Sequence, residues 1–72
     1  MDKYERWYHR RLHNYFMEHY EEAENADEIE WFTDPAPNQW LFDIPKSNVR
    51  VELTCSKKGI VTEVTYQLKG GN

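Results

Sequence analysis

Seventy-two residues carry three Trp, five Tyr and three Phe, with a mean hydropathy of -0.99 and a net charge of -4. A chain this size buries only about 60% of the surface it exposes unfolded, so rings that bury about 150–250 Å² each must supply much of the core, and their number excludes disorder. Cys55 is the one cysteine and excludes an internal disulfide, no apolar run approaches the roughly 20 residues of a membrane helix, and the pI of ≈ 5.2 argues against a dedicated nucleic-acid binder.

The first element is a helix over residues 3–24. Asp2 followed three residues later by Glu5 reads as a capping box, and neither Gly nor Pro occurs before Pro35. At helical spacing Tyr4, Tyr8, Leu12, Tyr15, Phe16, His19 and Ala23 share one broad face, which the pattern assigns to the core. The charges are polarised along the chain. Between Lys3 and His13 four bases stand against Glu5, and between Glu18 and Glu30 there are seven carboxylates and no base. Inside one helix this order opposes the macrodipole, at about 0.3–1 kcal/mol for each charge near a terminus.

Residues 28–33 form a less regular segment. Ile29 and Trp31 alternate with Glu28 and Glu30 as in a short edge strand, but Phe32 breaks the alternation. The Asp34-Pro35-Ala36-Pro37-Asn38 stretch is a loop. Three strands follow, over 39–44, 49–55 and 60–68, joined by Pro45-Lys46-Ser47-Asn48 and Ser56-Lys57-Lys58-Gly59, with a frayed tail at 70–72. Pairing across these turns predicts Ile44 opposite Val49, Phe42 opposite Val51 and Trp40 opposite Leu53. It then sets Cys55 against Ile60, Leu53 against Thr62, Val51 against Val64 and Val49 against Tyr66, so that every inward residue meets an inward residue. On the outer face Asp43 would meet Arg50, and Glu52 would meet Glu63. The expected fold is α+β: one amphipathic N-terminal helix on one face of an antiparallel meander of three strands, or four if 28–33 pairs.

No chemical motif rises above the background. Glu5, His9 and His13 share a helical stripe, but a zinc site needs a further protein ligand, and the stripe borders solvent. His19, on the apolar face, reads as a core or boundary residue. Glu52 and Glu63 on an open sheet face lack the desolvating cleft that acid–base chemistry requires. Cys55 reads as a small buried hydrophobe. No nucleophile triad, phosphate-binding glycine loop or CxxC occurs, so neither an enzyme nor a cofactor is expected.

The outer helix face carries the remaining signals. The wheel puts Trp7 among Lys3, Arg10 and Arg11, and Met17 near Glu18, Tyr20 and Glu21. A Trp beside arginines is typical of protein-binding hot spots, although it can also fold over the helix edge onto the sheet rim. The first expectation is therefore a cytoplasmic protein-binding module whose surface comprises Trp7, Arg10, Arg11, Met17, Glu18, Glu21 and Glu22. In size and composition it resembles small inhibitors and regulators of phages and mobile elements. A second is a homodimer in which antiparallel helices set Arg6, Arg10 and Arg11 against Glu18, Glu21 and Glu22 of the mate. The third, ranked last, is nucleic-acid binding by Lys3, Arg6, Arg10 and Arg11 with Tyr4 and Trp7.

Overall fold

The computed structural model describes residues 3–68, the side chains of Lys3 and Ala26 excepted. The expected cap at Asp2 and the tail at 70–72 lie outside the described residues. One helix, α1 (Lys3–His19), packs on a four-stranded antiparallel sheet of β1 (Glu30–Trp31), β2 (Gln39–Ile44), β3 (Val49–Cys55) and β4 (Val61–Gln67) in the order β1-β2-β3-β4. The α+β meander is as expected, and residues 28–33 do contribute a fourth strand, two residues long. No helix of the described residues is long and apolar enough to cross a membrane.

Helix α1 stops earlier than the expected residue 24. Tyr20 donates its backbone N–H to Phe16 at 3.1 Å and then turns extended, at φ -130 and ψ 118. The turn lets its ring lie against both Phe16 and Phe42, with centroids 5.8 and 5.7 Å away. Two 3₁₀ turns, Glu21–Glu24 and Ala26–Glu28, then carry the chain back to the sheet. The early stop also lessens the charge penalty read from the sequence. Glu21, Glu22 and Glu24 leave α1 and enter the start of a separate turn, where backbone donors rather than acceptors are exposed.

The core consists of Leu12, Phe16, Ile29, Phe42, Ile44, Val51, Leu53 and Cys55. Phe16 is its hub, with ring centroids 5.2 Å from Phe42, 5.3 Å from Trp31 and 5.8 Å from Trp40 in edge-to-face arrangements. Trp7, Tyr8, Tyr15, Tyr20, Ala23, Trp40, Val49 and Val61 pack around this centre as partly buried residues. Of the expected helix face, Tyr4 (60% exposed) and His19 remain outward. His19 lies flat on Tyr15 instead, with ring centroids 3.9 Å apart.

The register of β2 on β3 matches expectation at every pair from Trp40–Leu53 to Ile44–Val49. Asn48 closes their turn in the left-handed conformation (φ 59), which Asn tolerates, and donates its N–H to the Pro45 carbonyl at 3.0 Å. Across Asp43–Arg50 a two-pronged ion pair forms at 2.7 and 3.1 Å.

The register of β3 on β4 differs from expectation by one residue. Cys55 faces Val61, Leu53 faces Glu63, Val51 faces Thr65 and Val49 faces Gln67. The cause is loop length. The expected connection has four residues, but Ser56 donates its N–H to the Ile60 carbonyl at 2.8 Å and accepts from the Gly59 N–H at 2.9 Å. This leaves a three-residue loop, Lys57-Lys58-Gly59, with Gly59 left-handed at φ 86, as a type I turn followed by a bulge requires. The Ser56 hydroxyl ties the loop by accepting from the N–H groups of Lys58 and Ile60, each at 3.2 Å.

A one-residue slip exchanges the two faces of a strand. Glu63 and Thr65 therefore lie on the helix side, while Ile60 (60% exposed), Val64 (45%) and Tyr66 (49%) lie outward, against their expected burial. Glu52 faces Val64 rather than Glu63, so the expected carboxylate pair does not form. Glu52 instead accepts hydrogen bonds from Tyr66 Oη at 3.3 Å and Gln39 Nε2 at 3.1 Å.

Truncating the hub, Phe16→Ala, should cost about 3–5 kcal/mol in urea unfolding. Gly59→Ala should cost about 1–2 kcal/mol, because Ala is strained at φ 86 and its Cβ would meet the Arg11 guanidinium at 2.9 Å. An unchanged unfolding midpoint for either variant contradicts the corresponding role.

Candidate binding surfaces

The residues expected to form one outer helix face are dispersed. Trp7 is half-buried against the core, its ring 5.4 Å from Tyr8, and the Arg11 guanidinium lies over it at 4.9 Å from the ring centre. It is therefore a rim residue and not an exposed anchor. The same guanidinium reaches Gly59, so Arg11 closes the helix onto the β3–β4 loop. Arg10, Met17 (47% exposed) and Glu18 stay outward on α1, whereas Glu21 and half-buried Glu22 lie beyond its end.

A different surface carries the exposed Trp31 and the partly open Trp40. Trp31, 47% exposed, stands edge-on to Trp40 with centroids 5.2 Å apart at 89°. Across from them the His9 and His13 rings stack in near-parallel fashion, 6.1 Å apart, and present themselves to the Trp40 ring at 5.2 and 6.3 Å. The histidine pair of the sequence is thus a ledge over an indole, and no group of three or more His, Cys, Asp or Glu among the described residues could hold a metal ion. Between ledge and sheet opens a hollow of about 290 Å³ lined by His9, Trp31, Phe32, Pro35, Trp40 and Leu41. A second hollow of about 280 Å³ continues from it past Glu5 and the Pro35–Pro37 turn.

Local sequence explains why this flank stays open. Strand β1 ends after two residues because Asp34 turns left-handed (φ 55) and is followed by two prolines that lack donors. Among the described residues no strand or helix then covers the outer edge of Trp31. The sequence pattern sets Trp40 inward, as it is opposite Leu53, and leaves Trp31 on an irregular edge segment with no side assigned. The available signal was Trp31 on a short edge strand before a proline loop, a position that can be covered from one side only.

Charge is separated over the molecule, whose extents are 42 × 21 × 20 Å. Lys57, beside Tyr8 and Tyr4 in a hollow of about 550 Å³, and exposed Lys58 join the exposed arginines Arg6, Arg10 and Arg11 at the loop end of the helix. Glu18, Glu21, Glu24, Asp27 and Glu30 are exposed toward and beyond its other end, and Glu30 adjoins Trp31 of the aromatic flank. Glu28 is partly offset by Lys46 at 3.3 Å.

Three groups have displaced pKa values. Hydrogen bonding to Asp43 raises that of Arg50, whose guanidinium also lies 4.6 Å from the Phe32 ring centre. Burial, and then the charge of Glu63, raises the Tyr15 phenol, so the exposed Glu63 lies within electrostatic reach of the helix. Burial raises the Cys55 thiol, with Arg11 opposing in part. Because the native thiol ionises less readily than the unfolded one, its contribution to stability is complete below the ordinary cysteine pKa of about 8.5 and declines as pH rises above it. Cys55 should react with Ellman's reagent at about pH 8 at least roughly 100-fold more slowly in the native protein than in urea. Equal rates would contradict its burial.

No known protein family, curated protein or solved structure matches this chain.

Proposed function

We propose that this protein is a small non-enzymatic binding module that docks on a protein partner in the cytoplasm. The docking surface is the aromatic flank of Trp31, Trp40, His9, Phe32 and Pro35, extended along the helix by Met17. The observation that carries the reading is the hollow of about 290 Å³ lined by these rings on a domain whose other tryptophan, Trp7, is folded onto the core rim. Aromatic residues half open to solvent beside a shaped apolar hollow are the usual anchors of protein recognition.

The bordering charge sets the partner's chemistry. Glu21, Glu24, Asp27 and Glu30 favour a segment that inserts an apolar side chain and flanks it with Lys or Arg. Such a module acts by occupying a basic surface, which fits an inhibitor or regulator of the phage or mobile-element kind. The surface thus keeps Met17 and Glu21 from the sequence reading, omits Glu18, which faces the other side of the helix, and replaces Trp7 with Trp31 and Trp40.

Affinity capture from a cell lysate, quantified by mass spectrometry, tests the reading. Trp31→Ser should lower the recovery of a specific partner about tenfold or more, as loss of a hot spot worth about 2 kcal/mol does. Glu21→Lys with Glu24→Lys should lower it further, and circular dichroism should show both variants folded. A partner retained equally by wild type and Trp31→Ser sinks this surface.

A further inference from the structure

Strand β4 is a sheet edge that the fold leaves open. It spans seven residues, and every side chain from Thr62 to Gln67 is exposed. Its bonding direction follows from the ladder. Ser56 bonds to Ile60 and Leu68 to Asn48, and the register in between is regular, so Thr62, Val64 and Tyr66 direct their backbone groups to β3. Val61, Glu63, Thr65 and Gln67 direct theirs outward, where they meet no strand among the described residues. Edge strands are ordinarily blunted by shortness, proline, lysine or a bulge, and none of these occurs between Val61 and Gln67. The opposite edge is blunted, because β1 has two residues and runs into Pro35 and Pro37.

We propose that β4 pairs antiparallel with β4 of a second copy of this chain, about a two-fold axis at Val64, to form a continuous eight-stranded sheet. In this register the outward backbone groups bond as Glu63 with Thr65 of the partner subunit and Val61 with Gln67 of the partner subunit. On the outer face Val64 meets its own copy and Thr62 meets Tyr66 of the partner subunit, both pairings suited to β-branched and aromatic side chains. Glu63, the one charge on the strand, faces a threonine rather than another Glu63. An inward charge on an edge discourages indiscriminate pairing, and this register is the one that engages the whole strand while keeping the two carboxylates off opposite positions.

The helices argue for the same axis. A two-fold perpendicular to the sheet puts both copies of α1 on one face and antiparallel, about two to three strand spacings apart, or roughly 10–14 Å. Tyr4, Tyr8, Arg11, Tyr15 and Glu18 form the helical stripe toward β4, as the hollow shared by Tyr8 and Lys57, the approach of Arg11 to Gly59 and the packing of α1 on β3 and β4 indicate. Tyr15, in the middle of this stripe and within electrostatic reach of Glu63, lies near the axis, so Arg11 approaches Glu18 of the partner subunit. The charge polarity of the helix is then self-complementary, and the blunted β1 at both ends closes the assembly at two copies.

Sedimentation velocity over a micromolar concentration series at low salt tests the proposal. Wild type should sediment as a species of twice 8.8 kDa at high micromolar concentration and dissociate on dilution. Thr65→Pro removes one outward donor and leaves the bonds to β3 in place. It should raise the dimer dissociation constant about 100-fold or more, with an unchanged far-ultraviolet circular dichroism spectrum. If Thr65→Pro unfolds, Val64→Lys, on the exposed outer face, should give the same loss. A wild-type monomer throughout, or a dimer that both folded variants retain, overturns the pairing.

Discussion

The edge-to-face contact of Phe16 with Phe42, 5.2 Å between centroids, is the constraint from which the rest of the architecture follows. Phe42 is fully buried in β2, and Phe16 is the helical residue that reaches it, so their contact fixes where α1 crosses the sheet. The contact also explains why the helix ends where it does. Tyr20 must leave helical geometry to lay its ring on the same pair, and the acidic stretch that follows becomes 3₁₀ turns rather than two more turns of α1. In a domain of 72 residues a few rings replace the many aliphatic contacts of a larger core.

The same economy leaves surfaces uncovered. One helix of 17 residues lies chiefly over β3 and β4 and covers neither edge of the four-stranded sheet completely. On the β1 side, Trp31 and Trp40 are too large for the space that Phe16 leaves, and their outer edges line the hollow under His9. On the β4 side, Val61 is the strand's partly buried residue and the other six are exposed. Acidic and basic groups gather at opposite ends of α1, so the two flanks offer different chemistry to any partner.

Much of this was legible in the sequence. The alternation in 39–44 and 49–55, with a turn whose Asn48 accepts a left-handed conformation, gave β2, β3 and their register residue by residue. Leu12 and Phe16 were legible from helical spacing. Two features were not. Alternation within 60–68 favours Ile60, Val64 and Tyr66 inward over Val61, Glu63, Thr65 and Gln67, but the loop overrides it, because Gly59 and the Ser56 hydroxyl select three residues over four. Likewise, a helical wheel cannot show that Trp7 folds beneath Arg11, because that depends on a loop fifty residues away in sequence closing over the helix.

The register of β4 is the point on which both the exposed outer face and the open edge depend, and nuclear Overhauser contacts between backbone protons read it directly. Leu53 and Glu63 form a non-hydrogen-bonded pair, as do Val51 and Thr65, and such pairs bring their Hα protons closest in an antiparallel ladder. Strong Hα–Hα contacts for Leu53–Glu63 and Val51–Thr65 are the predicted result. Contacts for Leu53–Thr62 and Val51–Val64 in their place would restore the four-residue loop, turn Val64 and Tyr66 inward and contradict the account.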